Sequence, residues 1–146
     1  MDKIALNTEE IKKILPHRNP MLMVSTVTEC IPMESIEGTL FVDPSWGIFD
    51  GHFPGNPVFP GVLTVESMAQ MADIMLMTAE RYAGKAPLFA GINDVKFRKM
   101  IKPGANLVVK AQVMEEDTAK AKVTCKGEVY LQDELAAQAT LIIAMR

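Results

Sequence analysis

Apolar and polar residues switch period twice along this chain. From residue 61 to 79 the run is apolar except for short side chains and the exceptions Glu66, Gln70 and Asp73. Successive residues of a helix turn by about 100°, which puts Gln70 about 40° to one side of Glu66 and Asp73 about 20° to the other. The three make a narrow polar stripe, while Val62, Val65, Met68, Ala72, Met75 and Leu76 cover most of the remaining surface. A helix apolar nearly all round is a buried one. Pro60 suits its first position, and Gly84 follows its expected end near Tyr82 as a stop signal.

On either side the period is that of strands. Residues 21–30 and 34–43 read as two strands joined around Pro32 and Met33. After the helix, residues 88–98, 106–115, 121–131 and 135–145 read as four longer ones. In the third of these, Val123, Cys125, Gly127, Val129 and Leu131 alternate with polar residues or Tyr130, giving one covered face and one wet face. The opening residues read as a short amphipathic helix, capped by Asn7 or Thr8 and closed near Leu15 by Pro16, rather than as a leader. The expected class is α+β. One domain over 1–146 would hold a curved antiparallel sheet of about six strands wrapped around a long central helix. The exposed edges of such a sheet favour self-association.

Composition excludes several functions. The formal net charge of −3 gives no bulk electrostatic case for nucleic acid. The apolar run at 61–79 is too polar at its stripe for a membrane span. Cys30 and Cys125 are far apart and form no paired motif, which fits reduced thiols in a cytoplasmic protein. With only two histidines and no paired cysteines, no metal site is expected.

The chemistry concentrates at 50–70, DGHFPGNPVFPGVLTVESMAQ. Pro54, Pro57 and Pro60 fall within eleven residues together with Gly51, Gly55 and Gly61, so the loop is held in one unusual shape. His52 lies in the loop and Glu66 one and a half turns into the helix. An imidazole titrates near neutrality and suits a general base. A carboxyl that far into a buried helix is expected to be shielded from water, which suits a general acid. The free amides of the first turn, at Gly61 and Val62, can polarise a carbonyl oxygen. These parts fit proton abstraction beside a carbonyl with loss of a leaving group from the next carbon. Spacing alone leaves a structural, hydrogen-bonded His52 equally open.

Three segments carry a resemblance: LPHRNPMLMV (15–24), FDGHFPGNPVFPGVLTVESMAQ (49–70) and FAGINDVKFRKMIKPG (89–104). Together they resemble the 3-hydroxyacyl-[acyl-carrier-protein] dehydratases of type II fatty acid synthesis, the FabZ type. The resemblance implies the hot-dog fold and a homodimer, commonly assembled as a trimer of dimers, with active sites at the dimer interface. It implies that His52 is the base and Glu66 the acid, contributed by opposite subunits, with no metal or redox cofactor. Gly61 matches the residue whose N–H binds the thioester carbonyl, and Gln70 the glutamine that orients the acid. Leu88, beside Phe89, stands where relatives often carry a tyrosine lining or gating the acyl tunnel. Ser25 replaces a usual aspartate.

Met21 and Met23 suit either an adaptable tunnel wall or ordinary core filling. His17 and Arg18 read as turn residues that help to hold the interface. Lys96, Arg98, Lys99 and Lys102 alone would be a solvated charged face. Beside the resemblance they read as a docking patch for an acidic acyl carrier protein and its phosphopantetheine phosphate. Three other activities stay compatible with the fold: a bifunctional dehydratase and enoyl isomerase, an acyl thioesterase, and a non-catalytic acyl-binding protein.

Overall fold

The computed structural model describes residues 3–146. Strand β1 (Ile4–Leu6) leads into helix α1 (Thr8–Ile14), followed by β2 (Thr26–Ile31) and β3 (Ser35–Phe41). The long helix α2 (Gly61–Met77) comes next, then β4 (Pro87–Phe97), β5 (Asn106–Asp117), β6 (Lys122–Leu131) and β7 (Glu134–Met145). The strands form one antiparallel sheet in the order β1-β2-β3-β5-β6-β7-β4. Seven strands therefore replace the expected six, because β1 adds a short edge strand to β2.

Helix α2 lies against β3, β5, β6 and β7, in the hot-dog arrangement. Met68, Met71, Ile74, Met75 and Leu76 are buried, and meet a sheet face that includes Leu107, Val109, Val129 and Leu141. Contact is close at Gly127, where an added Cβ would stand 2.9 Å from Met68. Any larger residue there would push the helix off the sheet.

Several boundaries move. Asn7 is the cap of α1, in a capping box with Glu10, and the three residues before it pair as a strand instead of extending the helix. The expected strand at 21–30 begins only at Thr26. Leu22, Met23 and Val24 are buried, but outside the ladder. Helix α2 stops at Met77 and is followed by a 3-10 turn at Glu80–Tyr82. Pro60 is its N-cap rather than its first residue. Val62, expected on the buried surface, is 76% exposed.

Strand β4 closes the sheet on one side with an unpaired edge. It is long, yet Leu88, Phe89, Ile92, Val95 and Phe97 all stay exposed, Phe97 at 55%. At the opposite edge β1 spans three residues only.

Candidate active site

The loop before α2 is tied by its own backbone. The Phe53 and Asn56 amides each donate to the other's carbonyl, Val58 N–H donates to the His52 carbonyl, and Phe59 N–H to Ile101. His52 is thereby fixed, with its ring against Phe53 and Nδ1 2.8 Å from the Val58 carbonyl. A carbonyl oxygen only accepts, so Nδ1 carries the hydrogen of that bond. In the neutral ring, Nε2 is left with its lone pair.

Glu66 sits elsewhere. Its side chain is 20% exposed, so within one chain it is partly wet rather than fully shielded as expected. Its partial exposure is particular to its place near the start of α2, since Gln70 and Asp73 further along the same stripe are buried. Gln70 Nε2 donates to Glu66 Oε2 at 2.6 Å and to the Met21 carbonyl at 2.7 Å, while Gln70 Oε1 accepts from Met23 N–H at 2.7 Å. One buried amide thus joins the carboxylate to segment 21–23, whose apolar residues looked like a strand. Neither hydrogen bond nor ion pair joins His52 to Glu66 within the chain, among the described residues.

His17, read from the sequence as a turn residue helping to hold the interface rather than as a second catalytic histidine, is a neighbour of Glu66. Its Nε2 lies 3.6 Å from Glu66 Oε2, and its Nδ1 is sealed from water without a partner. Arg18 holds that turn by donating to the carbonyls of Lys12, Leu15 and His17. The residues are 49 positions apart, so no local signal could have joined His17 to Glu66.

A cavity of about 160 Å³ brings together Glu66, His17, Asp73, Leu88 and Phe89. Asp73 is 6% exposed, and burial first, then the neighbouring Glu66 charge, pushes its carboxyl well above the usual range. Cys125 is pushed up to about 12, mainly by burial, and Cys30 is raised for the same reason. Both thiols are unpaired, buried and inert.

Gly61 and Val62 line a second, wider groove with Phe97, Arg98, Lys99 and Met100. Neither amide is taken by another backbone carbonyl, so both donors are free. A Cβ on Gly61 would come within 2.9 Å of the Phe97 ring, so a larger residue there would have to displace that exposed ring. Arg98 donates to Gln138 and Lys99 pairs with Glu134. Lys96 and Lys102 stay exposed and lie outside the groove lining.

Met23 is in the core, whereas Met21 is half exposed and shares an apolar groove with Trp46, Ile48 and Leu63. Ser25 Oγ accepts from Phe41 N–H at 2.9 Å, which pins the start of β2 to the end of β3. No three His, Cys, Asp or Glu side chains converge as a metal site requires, among the described residues. None of the described helices is long and apolar enough to cross a membrane.

The FabA-like domain family matches residues 15–140. A 3-hydroxyacyl-[acyl-carrier-protein] dehydratase FabZ from Symbiobacterium thermophilum is 39% identical over 133 residues, covering 91% of this chain and 92% of its own. A protein of the same name from Syntrophomonas wolfei is 35% identical and covers 99% of both chains. Among solved structures, the dehydratase heterocomplex ApeI:P of Xenorhabdus doucetiae shares the fold, with a TM-score of 0.77 at 17% identity over 93% of this chain and 90% of that one. An uncharacterised protein of Pyrococcus horikoshii shares it at 0.65 and 16%, over 100% and 95%. Matched along nearly its whole length, the chain belongs to the FabZ-type 3-hydroxyacyl-[acyl-carrier-protein] dehydratase family.

Proposed function

We propose that residues 1–146 form one dehydratase domain that converts (3R)-3-hydroxyacyl thioesters on an acyl carrier protein to trans-2-enoyl thioesters in fatty acid synthesis. His52 Nε2 takes the α-proton, and the electrons left on the α-carbon form the new double bond as the C3–O bond breaks. Glu66 gives its proton to the departing hydroxyl, which leaves as water. The thioester oxygen gathers charge during the first step and rests on the free amides of Gly61 and Val62. Gln70 orients Glu66, and Leu88 and Phe89 line the acyl passage. Proton transfer does all the work, so the reaction calls for no metal or redox cofactor.

The observation that carries this reading is the Gln70-held Glu66 carboxylate, in one cavity with Leu88 and Phe89. His52 has its base nitrogen free but no contact with Glu66 in its own chain. A homodimer in which each site takes His52 from one chain and Glu66 from the other would complete the pair. The exposed apolar edge at β4 supports such self-association, and a trimer of dimers is the larger assembly proposed. Lys96, Arg98, Lys99 and Lys102 are assigned to carrier docking, supported by Arg98 and Lys99 lining the Gly61 groove. The two unpaired cysteines support a cytoplasmic setting.

The test is formation of enoyl product from a 3-hydroxybutyryl thioester. Wild type should form it, and His52→Ala and Glu66→Gln should not. Full activity in both variants would end the assignment, and release of free thiol would indicate a thioesterase instead. For docking, reversing Lys99 and Lys102 to glutamate should raise KM for carrier-bound substrate several-fold and spare a small thioester. Equal effects on both substrates would remove the patch from consideration.

A further inference from the structure

Asp73 has no part in the reaction just described. It lies seven residues beyond Glu66 on the same face of α2, about 10 Å further along the axis. It is 6% exposed, yet it makes no hydrogen bond and no ion pair among the described residues. What remains open of it borders the cavity that also holds Glu66, Leu88 and Phe89. Its surroundings there are apolar apart from His17 and Glu66, with Ala69 and Ile143 on the wall. Burial, then the neighbouring Glu66 charge, pushes its carboxyl well above the usual range, which favours the protonated form, with an O–H to donate and a carbonyl oxygen to accept.

An unpartnered buried carboxyl is costly, and an apolar side chain of similar size would fill the place without that cost. The other polar groups nearby are spent or closed. Gln70 uses its amide on Glu66, Met21 and Met23, His17 Nδ1 is sealed from water, and His17 Nε2 faces Glu66 Oε2 at 3.6 Å. Asp73 is therefore the group left to meet whatever enters. The order along α2 says which part of a substrate that is. With C3 at Glu66 and the acyl chain against Leu88 and Phe89, the chain lies in the cavity that Asp73 borders, about two turns further along the helix.

We propose that Asp73 is a specificity-determining residue that hydrogen-bonds an oxygen carried far out on the acyl chain, so that oxygenated 3-hydroxyacyl thioesters are preferred over plain ones. This rests on the dehydratase reading and adds the substrate class to it. A chain without the oxygen leaves the Asp73 carboxyl unpaired, which is how a buried polar group rejects an apolar analogue.

The experiment compares the 3-hydroxydecanoyl pantetheine thioester with its analogue bearing an oxo group on the penultimate carbon. Wild type should show kcat/KM about tenfold higher for the oxo chain, carried mainly by KM. Asp73→Leu should abolish that preference and improve the plain chain, while Asp73→Asn should keep part of it. Equal kcat/KM for the two chains in wild type overturns the proposal and leaves the dehydratase reading intact. So does an Asp73→Leu variant that lowers both by the same factor, which would assign the carboxyl to packing. Should Asp73→Leu fail to fold, the wild-type ratio and the Asp73→Asn variant decide. No turnover of either thioester overturns the dehydratase reading and this proposal together.

Discussion

Two polar clusters sit along and just beyond α2, and they are built on opposite terms. Past its C-terminal end, Glu116 on β5 accepts from Arg81 Nε at 2.9 Å, from Arg81 Nη2 at 2.6 Å and from the Tyr82 hydroxyl at 2.6 Å. Those donors hold the Glu116 carboxyl below its usual range, with the Arg81 hydrogen bonds as the largest cause. Along the helix itself, Glu66 has one firm donor in Gln70, and Asp73 has none. The first cluster is a closed set that ties the turn after α2 to the sheet. The second keeps hydrogen-bonding capacity unspent beside a cavity, at a cost in stability. Unspent polar groups in an apolar setting are where a fold gives up stability for chemistry.

The sharpest way to break this contrast is to remove one carboxylate from each cluster. Glu66→Gln is expected to lower kcat by about 10²–10⁴-fold, the usual scale for a lost general acid. Glu116→Gln should leave kcat near wild type. If the two variants lost activity equally, the clusters would not differ in kind.

The next effect is on stability. Asp73→Leu should stabilise the fold by about 1–3 kcal/mol in a urea titration at neutral pH, because a buried unpartnered carboxyl is gone. Glu116→Gln should destabilise by about 1 kcal/mol, the scale of a well-formed but partly exposed ion pair. A loss in the Asp73 variant would mean that its carboxyl is satisfied after all.

The smallest and most specific readout is pH. Asp73 is raised in the fold, so between its unfolded value near 4 and its folded value the native state holds the extra proton. Stability from this group is therefore greatest at low pH and falls as pH rises through that window. Glu116 is lowered, so the unfolded chain holds the extra proton between its two values. Its contribution is full above the ordinary carboxylate range and lost as pH falls through the folded value. Denaturation midpoints against pH should lose the decline in Asp73→Asn and the acid-side rise in Glu116→Gln.

Much of this was legible in the sequence because it follows local period. The 3.6-residue pattern at 61–79 marked α2 and its polar stripe, β4 to β7 read as long strands, and β6 showed clear alternation. Errors came where burial and pairing part company. Leu22, Met23 and Val24 are apolar and buried, which reads as strand, but the Met23 amide goes to the Gln70 side chain instead of a ladder. Ile4–Leu6 was too short to show a period of its own. Val62 belongs to an apolar helix, yet lies in its first turn, where the sheet no longer covers it.

By itself the sequence determined the elements, the family and the spacing that sets a histidine in a rigid loop and a glutamate on a buried helix. Local backbone preferences and side-chain period suffice for the elements and the spacing, and the three motif segments carry the family resemblance. Only the tertiary structure decided that Glu66 lies beside His17, and that Asp73 opens on the same cavity as Leu88 and Phe89. It also decided that Phe97 packs closely against Gly61. These contacts bring together residues from different elements of the chain. They arise from how the sheet curves around the helix, which no local pattern encodes.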